Sequence, residues 1–232
     1  MKVLALGLIA ASLQAQSLDQ VRTCLKTLAG KVPLVIQAER QSWSRELKKG
    51  ALPEQGWVKA QLEAGPSGLR VVSGSESANI PAKGGENPRP LGDREMAQVL
   101  EAAGELTKTL AEARLESEAS EIRNGRPSKH FRFSLPLEDE AEARKHMKEA
   151  WHALDLWVEP DGTPLASLEA FQIRGRVMFM TVEAGAKIHR EYQKVGDRLV
   201  MMSEKREMRG AGMGQGSEGR TLLQVVPLNI QP

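Results

Sequence analysis

The chain has 232 residues, 41% hydrophobic and 27% charged, enough to bury one sizeable core. Lys and Arg number 32 against 30 Asp and Glu, and aromatic residues make up 4%, a poor endowment for nucleic-acid binding or for charge-driven attachment to an anionic membrane. The single cysteine, Cys24, excludes an intramolecular disulfide framework and a Cys-based zinc site.

Met1-Lys2 is a basic start, residues 3–11 are an apolar run, and Ser12-Leu13-Gln14-Ala15 brings small residues after it. This is the layout of a secretory signal peptide, with cleavage expected after Ala15 and delivery to the periplasm. The run is far shorter than the roughly 20 residues of a membrane-spanning helix. Cys24 follows Arg22-Thr23 rather than small residues, so a lipid anchor is not expected. The remainder, 16–232, reads as one domain interrupted by a mobile Gly/Pro-rich loop at 74–93.

Ser17-Leu18-Asp19-Gln20 is a capping box, and Leu18, Val21, Leu25 and Leu28 recur at helical spacing before Gly30. Cys24 beside this stripe reads as a small buried hydrophobe. A strand is expected over 31–47. Val58, Ala60, Leu62 and Ala64 alternate with Lys59, Gln61 and Glu63, and Gly65-Pro66-Ser67-Gly68 turns the chain into a return strand through Leu69 and Val71. From Leu91, the positions Met96, Val99, Ala103, Leu106, Leu110 and Ala113 predict one long helix. The strand 115–122 leads to Asn124-Gly125, a strong hairpin signal, and Phe131, Phe133 and Leu135 share one face of the returning strand.

Glu138-Asp139-Glu140, the later Arg144, Lys145 and Lys148, and the stripe Met147, Trp151 and Leu154 predict a third helix. Strands follow around Pro160-Asp161-Gly162, one of them running from 165 to about 183, then around Val195-Gly196-Asp197. A glycine-rich loop precedes a last strand near 221–228.

Catalytic signatures are sparse. Gly214-Gln215-Gly216-Ser217-Glu218-Gly219 matches G-x-G-x-x-G, but a strand rather than a helix follows, so it reads as a hairpin loop and not a nucleotide site. His130, His146, His152 and His189 lack metal-ligand spacing. His152 and Asp155, three apart on the expected helix, make a base-and-orienter pair with no G-x-S-x-G nucleophile to serve. Met178, Met180, Met201, Met202, Met208 and Met213 crowd the last strands, as irregular core, an adaptable apolar pocket or soft ligands for Cu(I). No catalytic residue, resident metal or cofactor is assigned.

Trp157-Val158-Glu159-Pro160-Asp161-Gly162-Thr163-Pro164-Leu165 and Glu191-Tyr192-Gln193-Lys194-Val195-Gly196-Asp197-Arg198-Leu199-Val200, with the order of elements around them, resemble the periplasmic lipoprotein-carrier-like superfamily. The resemblance implies an α+β fold, an open antiparallel half-barrel with two or three helices on its concave side and an apolar cavity between. It also implies a strand-borne arginine that tunes release of an acyl ligand, a place that Arg40 or Arg45 would fill. Roughly eight to eleven strands are expected. The period-two sets Val58 with Leu62, Phe131 with Phe133 and Leu135, and Met178 with Met180 would wall the cavity, and Trp151 would close its mouth. Two functions follow: a non-enzymatic binder of a lipid, acylated or other apolar ligand, or an envelope adaptor or stress sensor meeting a membrane-protein partner without ligand.

Overall fold

The computed structural model describes residues 18–48, 50–65, 68–79, 91–137, 147–177, 180–212 and 215–228, with the backbone alone described at 75–79, 177 and 180. The expected signal peptide (1–15), the loop centre at 80–90 and the stretch 138–146 lie outside the described residues. A first helix, α1 (18–27), leads into β1 (Leu34–Glu46), β2 (Glu54–Gly65) and β3 (Gly68–Asn79). Two helices follow, α2 (Asp93–Leu100) and α3 (Ala102–Glu112). Seven more strands follow among the described residues: β4 (Arg114–Arg123), β5 (Arg126–Ser134), β6 (Met147–Val158), β7 (Pro164–Val177), β8 (Met180–Val195), β9 (Arg198–Gly212) and β10 (Gln215–Pro227).

All ten strands form one antiparallel sheet in the order β3-β2-β1-β10-β9-β8-β7-β6-β5-β4. It is an α+β fold, an open half-barrel whose sheet does not close on itself, with three helices on the concave side. Strand alternation assigns the faces. Ile36 and Ala38 of β1, Val58, Ala60 and Leu62 of β2, Phe131 and Phe133 of β5, Leu154 and Leu156 of β6 and Val225 of β10 are buried on the helix side. There they meet Val21 and Leu25 of α1, Val99 and Leu100 of α2 and Leu106 and Leu110 of α3 in a single core.

Local chemistry explains the joints. Asn124 and Gly125 both have positive φ (51° and 77°), the backbone of a type I′ hairpin turn. In the Pro160-Asp161-Gly162 turn, the Asp161 carboxylate accepts the Thr163 N–H at 2.9 Å, and Gly162 lies so close to α1 that a Cβ would sit 3.1 Å from the Gln20 carbonyl. Gln20 donates to the Pro160 carbonyl at 3.1 Å, and the half-buried Cys24 thiol contacts the Thr163 hydroxyl at 3.5 Å. The chain leaving α1 is clamped by the β8–β9 turn. Asp197 accepts the Lys31 N–H at 2.7 Å, and buried Arg198 donates to the carbonyls of Gly30 and Leu100 at 3.3 and 3.0 Å. Gly30 has φ +69°, and a Cβ there would stand 2.6 Å from the Arg198 side chain, so the position admits glycine alone.

Four expectations are corrected. The single long helix is two, broken at Glu101 (φ −121°, ψ 34°), where Arg198 takes the Leu100 carbonyl from the helical ladder. The third helix is not formed at 147–154, which belong to β6; Met147, Trp151 and Leu154 fit helical spacing only because both faces of this strand carry apolar residues. The expected strand from 165 to about 183 is the end of β7 and the start of β8, which pair with each other from Ala166 opposite Glu191 to Val177 opposite Met180. The glycine-rich hairpin loop is largely strand: Gly216 and Gly219 lie within β10, paired to Ala211 and Met208 of β9. In addition, β3 runs on to Asn79, into the stretch read as loop.

Candidate functional site

On the helix side, Val58, Leu62, Phe131 and Phe133 are buried in the core, and Leu135 packs half-buried against it. The apolar part of this side is therefore occupied by the chain's own side chains. Trp151 lies on β6 with its ring on the opposite, outer face and is 38% exposed, so it cannot close a mouth beneath the helices. Met178 and the side chain of Met180 lie outside the described residues. Met201 is core and Met208 is exposed near the far end of β9, so no methionine cluster forms among the described residues.

The space that remains under α2 and α3 is a cavity of about 370 Å³ with a charged floor. Five side chains of four adjacent strands form a relay, of which Glu169, Arg190 and Arg206 line that floor. His152 meets Glu169 at 3.0 Å, Arg190 donates to Glu169 and to Glu204 at 2.8 Å each, and Arg206 forms an ion pair with Glu204 at 3.0 Å. Beside it the hydroxyls of Ser167 and Tyr192 are hydrogen-bonded at 2.9 Å. The hydrogen bond from His152, aided by Arg190 and opposed by burial, holds the Glu169 carboxyl down to about 2. The same bond raises the His152 pKa. Its second ring nitrogen faces the Pro136 carbonyl at 3.3 Å, so the doubly protonated ring satisfies both acceptors.

The expected His152–Asp155 pair does not exist. Residues three apart on a strand point to opposite faces, and Asp155 instead meets His130 at 2.8 Å on the outer face. There His130 stacks on Trp157 (centroids 4.6 Å apart), and Arg123 lies 4.3 Å from the Trp157 ring centroid. Of the two early arginines, Arg40 points to the helix side and pairs with Glu95 of α2, while Arg45 points outward and pairs with Glu218 at 2.5 Å.

The larger opening is on the outer face, where residues far apart in sequence are aligned by strand register. Trp57, Gln41, Leu222 and Lys205 stand in one row across β2, β1, β10 and β9; Gln55, Trp43, Arg220 and Glu207 stand in the next. All of these but Glu207 line a cleft of about 840 Å³, together with Glu39 and Lys59. Trp57 is 41% exposed and Leu222 is 36% exposed, whereas Trp43 is half-buried with Arg45 and Arg220 at 5.8 and 5.6 Å from its ring centroid. A second hollow of about 300 Å³ adjoins it, shares Trp43 and Arg220, and is bordered by Trp151. Three of the protein's four tryptophans thus surround one surface, though aromatics are only 4% of the chain. Sequence reasoning passed over Trp43 and Trp57 because they look like isolated exposed aromatics until β1 pairs with β2.

Among the described residues no group of three or more His, Cys, Asp or Glu could hold a metal ion. Among them also, no helix is long and apolar enough to cross a membrane.

No family model and no curated protein matches the chain. Among solved structures it is similar to a LolA superfamily protein from Nitrosomonas europaea, at 10% identity over 93% of this chain and 94% of that one, TM-score 0.31. It is also similar to MucB in complex with MucA(peri), at 11% identity over 91% and 93%, TM-score 0.24. At these TM-scores the likenesses say nothing of ligand or partner.

Proposed function

We propose that the chain is an exported, non-enzymatic protein of the bacterial envelope that binds an amphiphile with an apolar chain, such as a lipid or acylated molecule, on the outer face of its sheet. The carrying observation is the cleft bounded by Trp57, Trp43 and Leu222. At about 840 Å³ it falls within the roughly 300–1,000 Å³ range of small-molecule sites, and Trp57 and Leu222 present exposed apolar surface to it. The helix side offers a smaller, charged space instead. Export follows from the first 15 residues: intact mass of the protein from an envelope fraction is expected to begin after Ala15, and a cytosolic pool retaining Met1 overturns it.

The binding itself is tested with dodecyl maltoside, a neutral amphiphile, by calorimetry below micelle formation. The wild-type protein is expected to bind it, and Trp57→Ala to weaken binding about tenfold, the worth of one aromatic side chain kept from water. Equal binding by the variant removes the cleft as the site. A protein partner is the second reading, supported by the two open sheet edges, β3 and β4, whose outer backbone groups face no further strand among the described residues. Organic extracts free of lipid, together with a stoichiometric membrane-protein partner recovered from the envelope, would favour it.

A further inference from the structure

The cleft is asymmetric in charge. Its lining holds three cations, Lys59, Lys205 and Arg220, against one carboxylate, Glu39. Lys205 and Arg220 are diagonal neighbours on β9 and β10, since Lys205 stands opposite Leu222 and Arg220 opposite Glu207. Diagonal positions lie roughly 7–8 Å apart, close enough for both side chains to reach one anion placed between them. Trp43 and Trp57 lie beyond these cations toward β2, and Leu222 stands two residues from Arg220 on β10. The surface therefore carries a cationic pair on β9 and β10 and an apolar run from Leu222 to Trp57, with Lys59 of β2 standing opposite Glu39 of β1. Glu207, opposite Arg220, already meets Lys205 at 3.0 Å, so a bound headgroup shares Lys205 with that carboxylate.

We infer that the occupant is an anionic amphiphile, a long-chain alkyl carboxylate whose chain lies over Leu222, Trp43 and Trp57 while its carboxylate sits between Lys205 and Arg220. The inference rests on the outer-cleft reading above and adds the charge of the headgroup. Arg220, 5.6 Å from the Trp43 ring centroid, then serves both parts of the ligand, flanking the indole and facing the carboxylate.

The test compares dodecanoate, dodecyl maltoside and dodecyltrimethylammonium, three headgroups on one chain length, by calorimetry below micelle formation. Dodecanoate is expected to bind about fivefold or more tightly than the maltoside, the scale of a partly exposed charge-assisted contact. Raising sodium chloride from 0.05 to 0.5 M should shrink that preference, and the Lys205→Gln/Arg220→Gln variant should abolish it. A circular dichroism spectrum checks that the variant is folded; should it not be, the salt series on the wild-type protein decides. Equal affinity for dodecanoate and maltoside, a salt-insensitive preference, or tighter binding of the trimethylammonium overturns the anionic headgroup and leaves the amphiphile site standing. Failure of all three to bind removes both.

Discussion

Replacing Phe133 with alanine is expected to lower stability by about 3–5 kcal/mol and to leave binding at the outer cleft unchanged. Phe133 is 1% exposed on the helix side of β5. Its ring stacks at 6.2 Å on Phe131, and its strand neighbours are Leu154 of β6 and Leu115 of β4. These residues belong to the core that also takes in Leu106 and Leu110 of α3, so truncation leaves a void that the surrounding backbone cannot close. The denaturant midpoint in urea measures the loss. The opposite outcome is equally informative. A small loss of stability with altered amphiphile binding would mean that the helix side opens to ligand, and the walls expected there (Val58, Leu62, Phe131, Phe133 and Leu135) would regain that role.

The alternation of Val58 to Ala64 and the Asn124-Gly125 turn are local signals, and both elements formed where they were expected because strand pairing and turn geometry agree with nearest-neighbour chemistry. The 147–154 segment was illegible for a specific reason. Trp151 is apolar on the outer face and Leu154 on the inner, and the interval between them suits a helix as well as a two-faced strand. The β10 glycines misled in a similar way: Gly216 and Gly219 suggest a loop, yet their strand is held between β9 and β1 on both edges. The outer cleft was hidden most deeply. It needs β1 beside β10, the chain's early and late strands, which puts Trp43 opposite Arg220 and Gln41 opposite Leu222. No spacing in the sequence encodes that pairing.

The charged relay should be the protein's most sensitive polar feature. Arg190→Met is expected to cost about 3–5 kcal/mol, because it leaves the Glu169 and Glu204 carboxylates facing each other with their shared cation gone. Glu204 is 6% exposed, so water cannot readily replace the guanidinium. The variant Arg190→Met/Glu169→Gln/Glu204→Gln should recover part of the loss, since it removes the stranded charges as well; no recovery would mean that Arg190 matters through packing alone.

The relay also sets a pH window. Glu169 is held down to about 2, so its contribution is complete above its unfolded value of 4.5 and is lost as pH falls toward 2; it is on the order of 3 kcal/mol. His152 is raised, so its contribution is complete below 6.5 and is lost as pH climbs through its folded value. Both act together between about 4.5 and 6.5. Urea midpoints measured from pH 3 to 9 should therefore peak in that window for the wild-type protein. Glu169→Gln should lower the peak and flatten both flanks, because it removes the titrating carboxylate and the partner that keeps His152 charged. A profile that keeps its shape in this variant would show that the four strands are not held together by this relay.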